Sequence, residues 1–225
     1  MSNLLPFSYQ IKRSKRKSLA IHIRNAAVEV RAPEQLPVVA ITQFLQKKSH
    51  WVQSQLQEQQ QKLEEKPQIQ HQGQLLFMGK TLQLDIIRGK PAIYQETDRL
   101  SIACEDESQA QTVLEQWLQC EAEGYLSQRT LELAQIMGEN ERISDIRFRK
   151  TRSKWGHCTS KGVLQFNWLI IMASPEIIDY LIIHELSHLQ HMNHSALFWQ
   201  RVAIFCPDYA ERRQWLRKNG HKLWE

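Results

Sequence analysis

His184-Glu185-Leu186-Ser187-His188 places two histidines four residues apart, with a glutamate directly after the first. On an α-helix such histidines lie about 40° apart around the axis and one turn along it, so both imidazoles can reach one ion. Glu185, about 100° further round than His184, can face a water on that ion without ligating it. The chemistry this spacing supports is metal-assisted hydrolysis. The ion acidifies water and polarises a carbonyl, while Glu185 takes the proton and delivers it to the leaving group. With 9 histidines among 225 residues, chance supplies only about 0.03 such motifs. The preceding turns carry Ile177, Ile178, Leu181, Ile182 and Ile183. A core helix does not bury an acid beside two histidines unless something pairs them.

A catalytic zinc has three protein ligands and an open position. His191 shares the angular stripe but sits about 10 Å along the axis from His184, too far to share an ion unless the helix breaks. His194 follows Asn193, a helix terminator, and precedes Ser195, which can cap a next helix through Phe198, Trp199 and Val202. A turn there can fold His194 back beneath the ion. His157, Asp208 and Glu211 are weaker third-ligand candidates, since ligands come from distant chain positions. The plainer reading leaves His157 in a loop and Asp208 with Glu211 opening the final helix after Pro207.

The motif helix must start cleanly, and Ser174 as cap, Pro175 at the first position and Glu176 at the positive dipole end predict a helix from 175 to about 192. Strands are expected over 143–150 and 163–168 before it, the second lying beside the cleft as an edge able to pair an extended peptide. Helical spacing over 108–137, stopped by Gly138, predicts a long helix. Alternation over 75–78, 82–87 and 100–103 predicts short strands. Phe7 to Val30 alternate as a small antiparallel sheet whose first connection is basic, and 36–66 reads as one long helix with a polar C-terminal half. The fold class is α+β: a strand-rich N-terminal domain with one long helix over 1–105, then a catalytic domain over 106–225.

Hydrophobic residues at 42% and charged residues at 24% are ordinary globular usage, which excludes a wholly disordered or fibrous chain. No apolar stretch approaches the ~18 residues of a membrane span, and the first eleven residues lack a secretory signal, so the expected setting is cytoplasmic. Cys104, Cys120, Cys158 and Cys206 have no CxxC spacing and read as reduced thiols. The net charge of +5 concentrates in Lys12, Arg13, Lys15, Arg16 and Lys17, and in Arg147, Arg149, Lys150, Arg152 and Lys154. Such runs can meet nucleic acid or acidic substrates, though most form solvated faces.

Arg152-Ser153-Lys154-Trp155-Gly156-His157-Cys158, Asn167, the histidine motif, and Asn193-His194-Ser195 with Phe198-Trp199 together resemble the YgjP-like metallopeptidase family, related to the SprT-like and WLM-type zinc peptidases. The likeness extends to Pro207-Asp208-Tyr209 and, more weakly, to the N-terminal hairpin. It implies a zincin-like catalytic domain holding Zn2+ on His184, His188 and His194, with Glu185 as base and a peptide or protein as substrate. Arg152, Lys154, His157 and Asn167 are the candidates for substrate or oxyanion contacts. Lys154 stands where the family usually has Arg, and His157 where it usually has Ser, which bears on substrate preference rather than on the metal.

Two other functions fit the same residues. A metal-dependent phosphohydrolase acting on nucleotides or another small electrophile would use the ion and the basic runs, but the chain has no Gly-rich phosphate loop. A nucleic-acid-binding module with a structural zinc would call for a closed, four-ligand site.

Overall fold

In the computed structural model, residues 5–67 and 69–223 are described; residues 1–4, at the head of the segment read as lacking a leader, lie outside them. The protein is α+β. Two compact units divide the chain at Met1–Lys66 and Pro67–Glu225. The division expected near residue 106 therefore falls inside the larger unit.

The smaller unit contains β1 (Gln10–Ser14), β2 (Ala20–Arg24), β3 (Ala27–Pro33), α1 (Val38–Lys47) and α2 (Ser49–Glu64). β3 is central. It pairs antiparallel with β2 and parallel with β1, so the sheet is mixed rather than antiparallel. Alternation reports which face a residue occupies, not strand direction. Asn25 and Ala26 both adopt positive φ in the tight β2–β3 turn, which Gln59 of α2 braces by accepting from the Ala26 N–H (3.1 Å) and donating to the Ile23 carbonyl (2.8 Å). The expected single helix is two, broken at Lys48. Ile41, Leu45 and Val52 keep helical spacing across the break and are fully buried with Val30 and Ala32, so periodicity carries no trace of it. Arg13 donates to the Pro33, Glu34 and Leu36 carbonyls and thus serves the fold rather than a free basic face.

The larger unit begins with β4 (Gln74–Phe77), β5 (Lys80–Arg88), β6 (Ala92–Gln95) and β7 (Arg99–Cys104), ordered β4-β5-β7-β6. β6 adds a strand to the three expected there. The 28-residue α3 (Ala110–Met137) buries Leu114, Leu118, Ala122, Leu126 and Leu133 against the core and stops at Gly138 in the left-handed conformation (φ 72°). The β4–β5 turn explains why this sheet belongs with the C-terminal half. The Met78 and Gly79 N–H groups donate to the carbonyls of Ile171 and Met172 (2.9 and 3.2 Å), in a buried 3-10 helix spanning Trp168–Met172. At Gly79, φ is +74° and an added Cβ would lie 2.7 Å from Ser174 Cβ.

A second sheet, β8 (Asp145–Phe148), β9 (Gly156–Cys158) and β10 (Val163–Phe166), has the order β8-β10-β9. β10 is its centre, parallel to β8 and antiparallel to β9. The strand expected at the edge is thus enclosed on both sides, and the short β9 holds the edge instead. The unit ends with α4 (Pro175–Ser187), α5 (Ala196–Phe205) and α6 (Tyr209–Asn219). A two-pronged Arg129–Asp179 ion pair ties α3 to α4, with both contacts at 2.8 Å. Among the described residues, no helix is long and apolar enough to cross a membrane.

Candidate metal centre

α4 starts as its sequence signals, with Pro175 in the first turn, but the Ser174 hydroxyl bonds the Glu176 carboxylate and makes no bond to the backbone N–H groups. The helix ends at Ser187 rather than near 192. Ser187 Oγ donates back to the Ile183 carbonyl (2.7 Å), and His188 Nδ1 donates to the His191 carbonyl (2.9 Å), closing the chain into a turn. The His188 bond leaves Nε2 as its available lone pair. His191 therefore orients His188 through its backbone, not its ring.

The turn brings His194 back. Its Nε2 lies 3.1 Å from His184 Nε2, and the three rings of His184, His188 and His194 are 4.8 to 5.1 Å apart, centroid to centroid. One nitrogen from each lies within 4.8 Å of the others, a set that could hold a metal ion. Two imidazole nitrogens on one tetrahedral zinc are about 3.3 Å apart, so the observed 3.1 Å contact suits a shared cation. Protonation favours the same state. Burial, then the neighbouring His188 and His194, push the His184 imidazole down to about 3, and burial likewise lowers His188. Both are neutral near pH 7, as ligands must be. His157, Asp208 and Glu211 do not join this cluster; Asp208 instead pairs with Arg212 (2.6 Å).

Phe198, fully buried, backs all three imidazoles with ring separations of 4.5 to 4.9 Å. Trp199 stacks on His194, and Tyr209 stacks on Trp199. Ser195 does cap α5, accepting from the Phe198 N–H (3.4 Å), which aims both rings at the histidines. The loop carrying His194 is held from behind by Glu139, a residue with no solvent exposure just past α3. Glu139 accepts from Gln190 Nε2 (2.6 Å) and pairs with Arg201 of α5 and Arg142 (3.4 Å). Arg142 also donates to the Leu189 carbonyl (3.2 Å). No local sequence pattern marks Glu139, because two of its three partners, Gln190 and Arg201, lie 51 and 62 residues away along the chain.

Glu185 is 4% exposed, and burial pushes its carboxyl up to about 8, opposed by the charge of Lys154. Among the described residues, no hydrogen bond or ion pair to that carboxyl is present. Gly156 of β9 lies directly against it: an added Cβ would meet Glu185 Oε1 at 2.2 Å. Glycine is needed there so that the edge strand can pass over the carboxyl.

The four other candidates separate. Lys154 acts on Glu185, and His157, exposed on β9, acts on His188, both through charge. Asn167 is buried and structural, accepting from the Leu169 N–H (3.2 Å) and donating to the Thr151 carbonyl (3.1 Å). Arg152 is exposed, and no contact brings it to the histidines. Much of the second basic run is paired within the fold, Arg147 with Asp145 (2.6 Å) and Lys150 with Glu115 (3.1 Å).

A histidine trio around a helix end, beside a buried acid, belongs to the metallopeptidase class. Residues 17–219 match the YgjP-like family's metallopeptidase domain, and the chain belongs to that family. The solved structure of the metallopeptidase zymogen abylysin from Pyrococcus abyssi is similar over 41% of this chain and 93% of its own, at 22% identity and a TM-score of 0.38. No curated protein matches the chain.

Proposed function

We propose that the protein is a zinc-dependent metallopeptidase with His184, His188 and His194 as ligands and Glu185 as general base. The observation that carries this is the convergence of three imidazole nitrogens within 4.8 Å at the end of the helix that also bears the buried Glu185 carboxyl. When bound there, zinc would supply Lewis acidity toward water and a scissile carbonyl. Glu185 takes the water's proton and passes it to the leaving amine, a task suited to a buried carboxyl adjacent to the first histidine ligand. Phe198 and Trp199 keep the imidazoles rigid and exclude bulk water from behind them. In the β9–β10 register His157 faces Gln165, and the main-chain bond from the Thr159 N–H to Val163 (2.9 Å) fixes the alternation. Gly156 and Cys158 therefore direct their main-chain groups outward, which suits an extended peptide added to this edge. All four cysteines are free thiols, and a cytoplasmic setting is part of the proposal.

The test is metal analysis joined to hydrolysis. Protein purified without chelators should hold about one zinc per chain, cleave peptides in an unbiased library, lose cleavage with zinc on chelation, and regain both on re-addition. Absence of zinc together with no uptake on titration would sink the reading. Cleavage of nucleotides but of no peptide would replace the substrate class.

A further inference from the structure

Beside the histidines, a cavity of about 630 Å³ lies against α6, lined among others by Trp155, Tyr180, Tyr209, Arg213, Gln214 and Arg217. Among the described residues that line it, three are aromatic, the charges are two guanidiniums, and none is a carboxylate. Arg213 and Arg217 are four apart on one helix, so they share a face and repel each other. Neither has an ion pair among the described residues, whereas their neighbour Arg212 is bound to Asp208 (2.6 Å) and the Glu176 carbonyl (2.7 Å). The Arg213 guanidinium lies 4.7 Å from the Trp199 ring, which is itself 5.7 Å from the rings of His184 and His194. Tyr180, which also lines the cavity, is 6.0 Å from the His184 ring. Two of its lining side chains, Arg213 and Tyr180, are thus within two ring contacts of the imidazoles. The Trp155 ring packs against Gly220, just past α6, and its chain neighbour Gly156 lies against the Glu185 carboxyl.

We propose that this cavity takes the side chain of an acidic residue adjacent to the scissile bond, with Arg213 and Arg217 as its ion-pairing partners. The proposal rests on the peptidase reading and names its substrate preference. Consecutive Cα atoms are about 3.8 Å apart, so the side chain flanking a carbonyl held at the histidines reaches the cavity while the backbone follows β9. Two guanidiniums beside aromatic walls bind a carboxylate by charge-assisted, fork-like hydrogen bonds. An uncharged amide in the same place leaves both cations unneutralised, and a lysine adds a third.

The test measures binding and cleavage separately. Three dipeptide hydroxamates that differ only in a glutamyl, glutaminyl or lysyl side chain are titrated calorimetrically into zinc-loaded protein, and the matching peptides are assayed for hydrolysis. Glutamyl should bind at least about tenfold tighter than glutaminyl. Arg213→Gln with Arg217→Gln should bring the two near parity, and Arg213→Glu should move the preference toward lysyl. Both arginines are exposed, so these variants should fold; an unchanged melting temperature checks it. Equal affinities in the wild type, or a glutamyl preference surviving in the double variant, would overturn the proposal. Glutamyl preference without hydrolysis of any peptide would sustain the cavity's role and break the peptidase reading, whereas hydrolysis without preference would do the reverse.

Discussion

Around Glu139, two guanidiniums and an amide converge on a carboxylate with no exposed surface; around Glu185, 4% exposed, no ion pair forms among the described residues and Lys154 acts only through its charge. The first site joins α3, α5 and the loop between His188 and His194. The second lies beneath a glycine strand, with its carboxyl pushed up to about 8. Burial alone therefore does not distinguish a structural acid from a chemical one. What distinguishes them is whether the fold provides partners for the charge.

The largest effect that tests this contrast is on turnover. Glu185→Gln should keep zinc and fold yet lose on the order of 10²- to 10⁴-fold in hydrolysis rate, because an amide cannot accept the water's proton. Full activity in the zinc-loaded variant would remove Glu185 from the chemistry.

Glu139→Ala should behave in the opposite way, through stability. It leaves Arg201, 15% exposed, facing an emptied pocket and should cost about 3–5 kcal/mol by denaturant titration, with weaker zinc binding as the His194 loop loosens. Glu139→Gln, which keeps the shape, should lose less. A Glu139→Ala protein as stable as wild type would show the network to be ornamental.

The two sites should also differ in pH response once zinc is chelated away. The Glu185 carboxyl ionises near 4.5 in the unfolded chain and near 8 in the fold. Across that window the unfolded chain gives up a proton that the fold retains, so stability falls as pH rises. Metal-free wild type should therefore lose melting temperature relative to metal-free Glu185→Gln between about pH 5 and 8. The difference cancels the histidine contributions, which run the other way. Parallel curves would mean that Glu185 is already ionised in the fold. Gly156→Ala gives a finer probe of the same carboxyl: its Cβ must displace Glu185 or shift β9, so turnover should fall while zinc content holds.

The smallest expected effect lies in the other unit. Neutralising Lys15, Arg16 and Lys17 together should leave zinc affinity within error and change only salt-dependent association. Loss of metal on that change would tie the basic hairpin to the site.

Local rules made much of this legible in the sequence. The i, i+4 histidines with their adjacent acid, the proline start of α4, the cap at Ser195 and the glycine stop after α3 each depend on neighbours within about one helical turn. The return of His194 was legible as one turn among several candidate ligands; only the fold shows it joining His184 and His188 while His157, Asp208 and Glu211 do not. Strand order was decided at long range. Alternation along β10 is the same whether one or two neighbours bond it, so its central place and the exposed edge at β9 emerge only when β8 pairs from the other side. The unit boundary moved for a similar reason, because a turn at Met78 bonds a segment more than ninety residues later. Glu139 and Arg213 carry no signature at all. Each is an ordinary charged residue until tertiary packing gives one three partners and leaves the other facing a cavity beside the histidines.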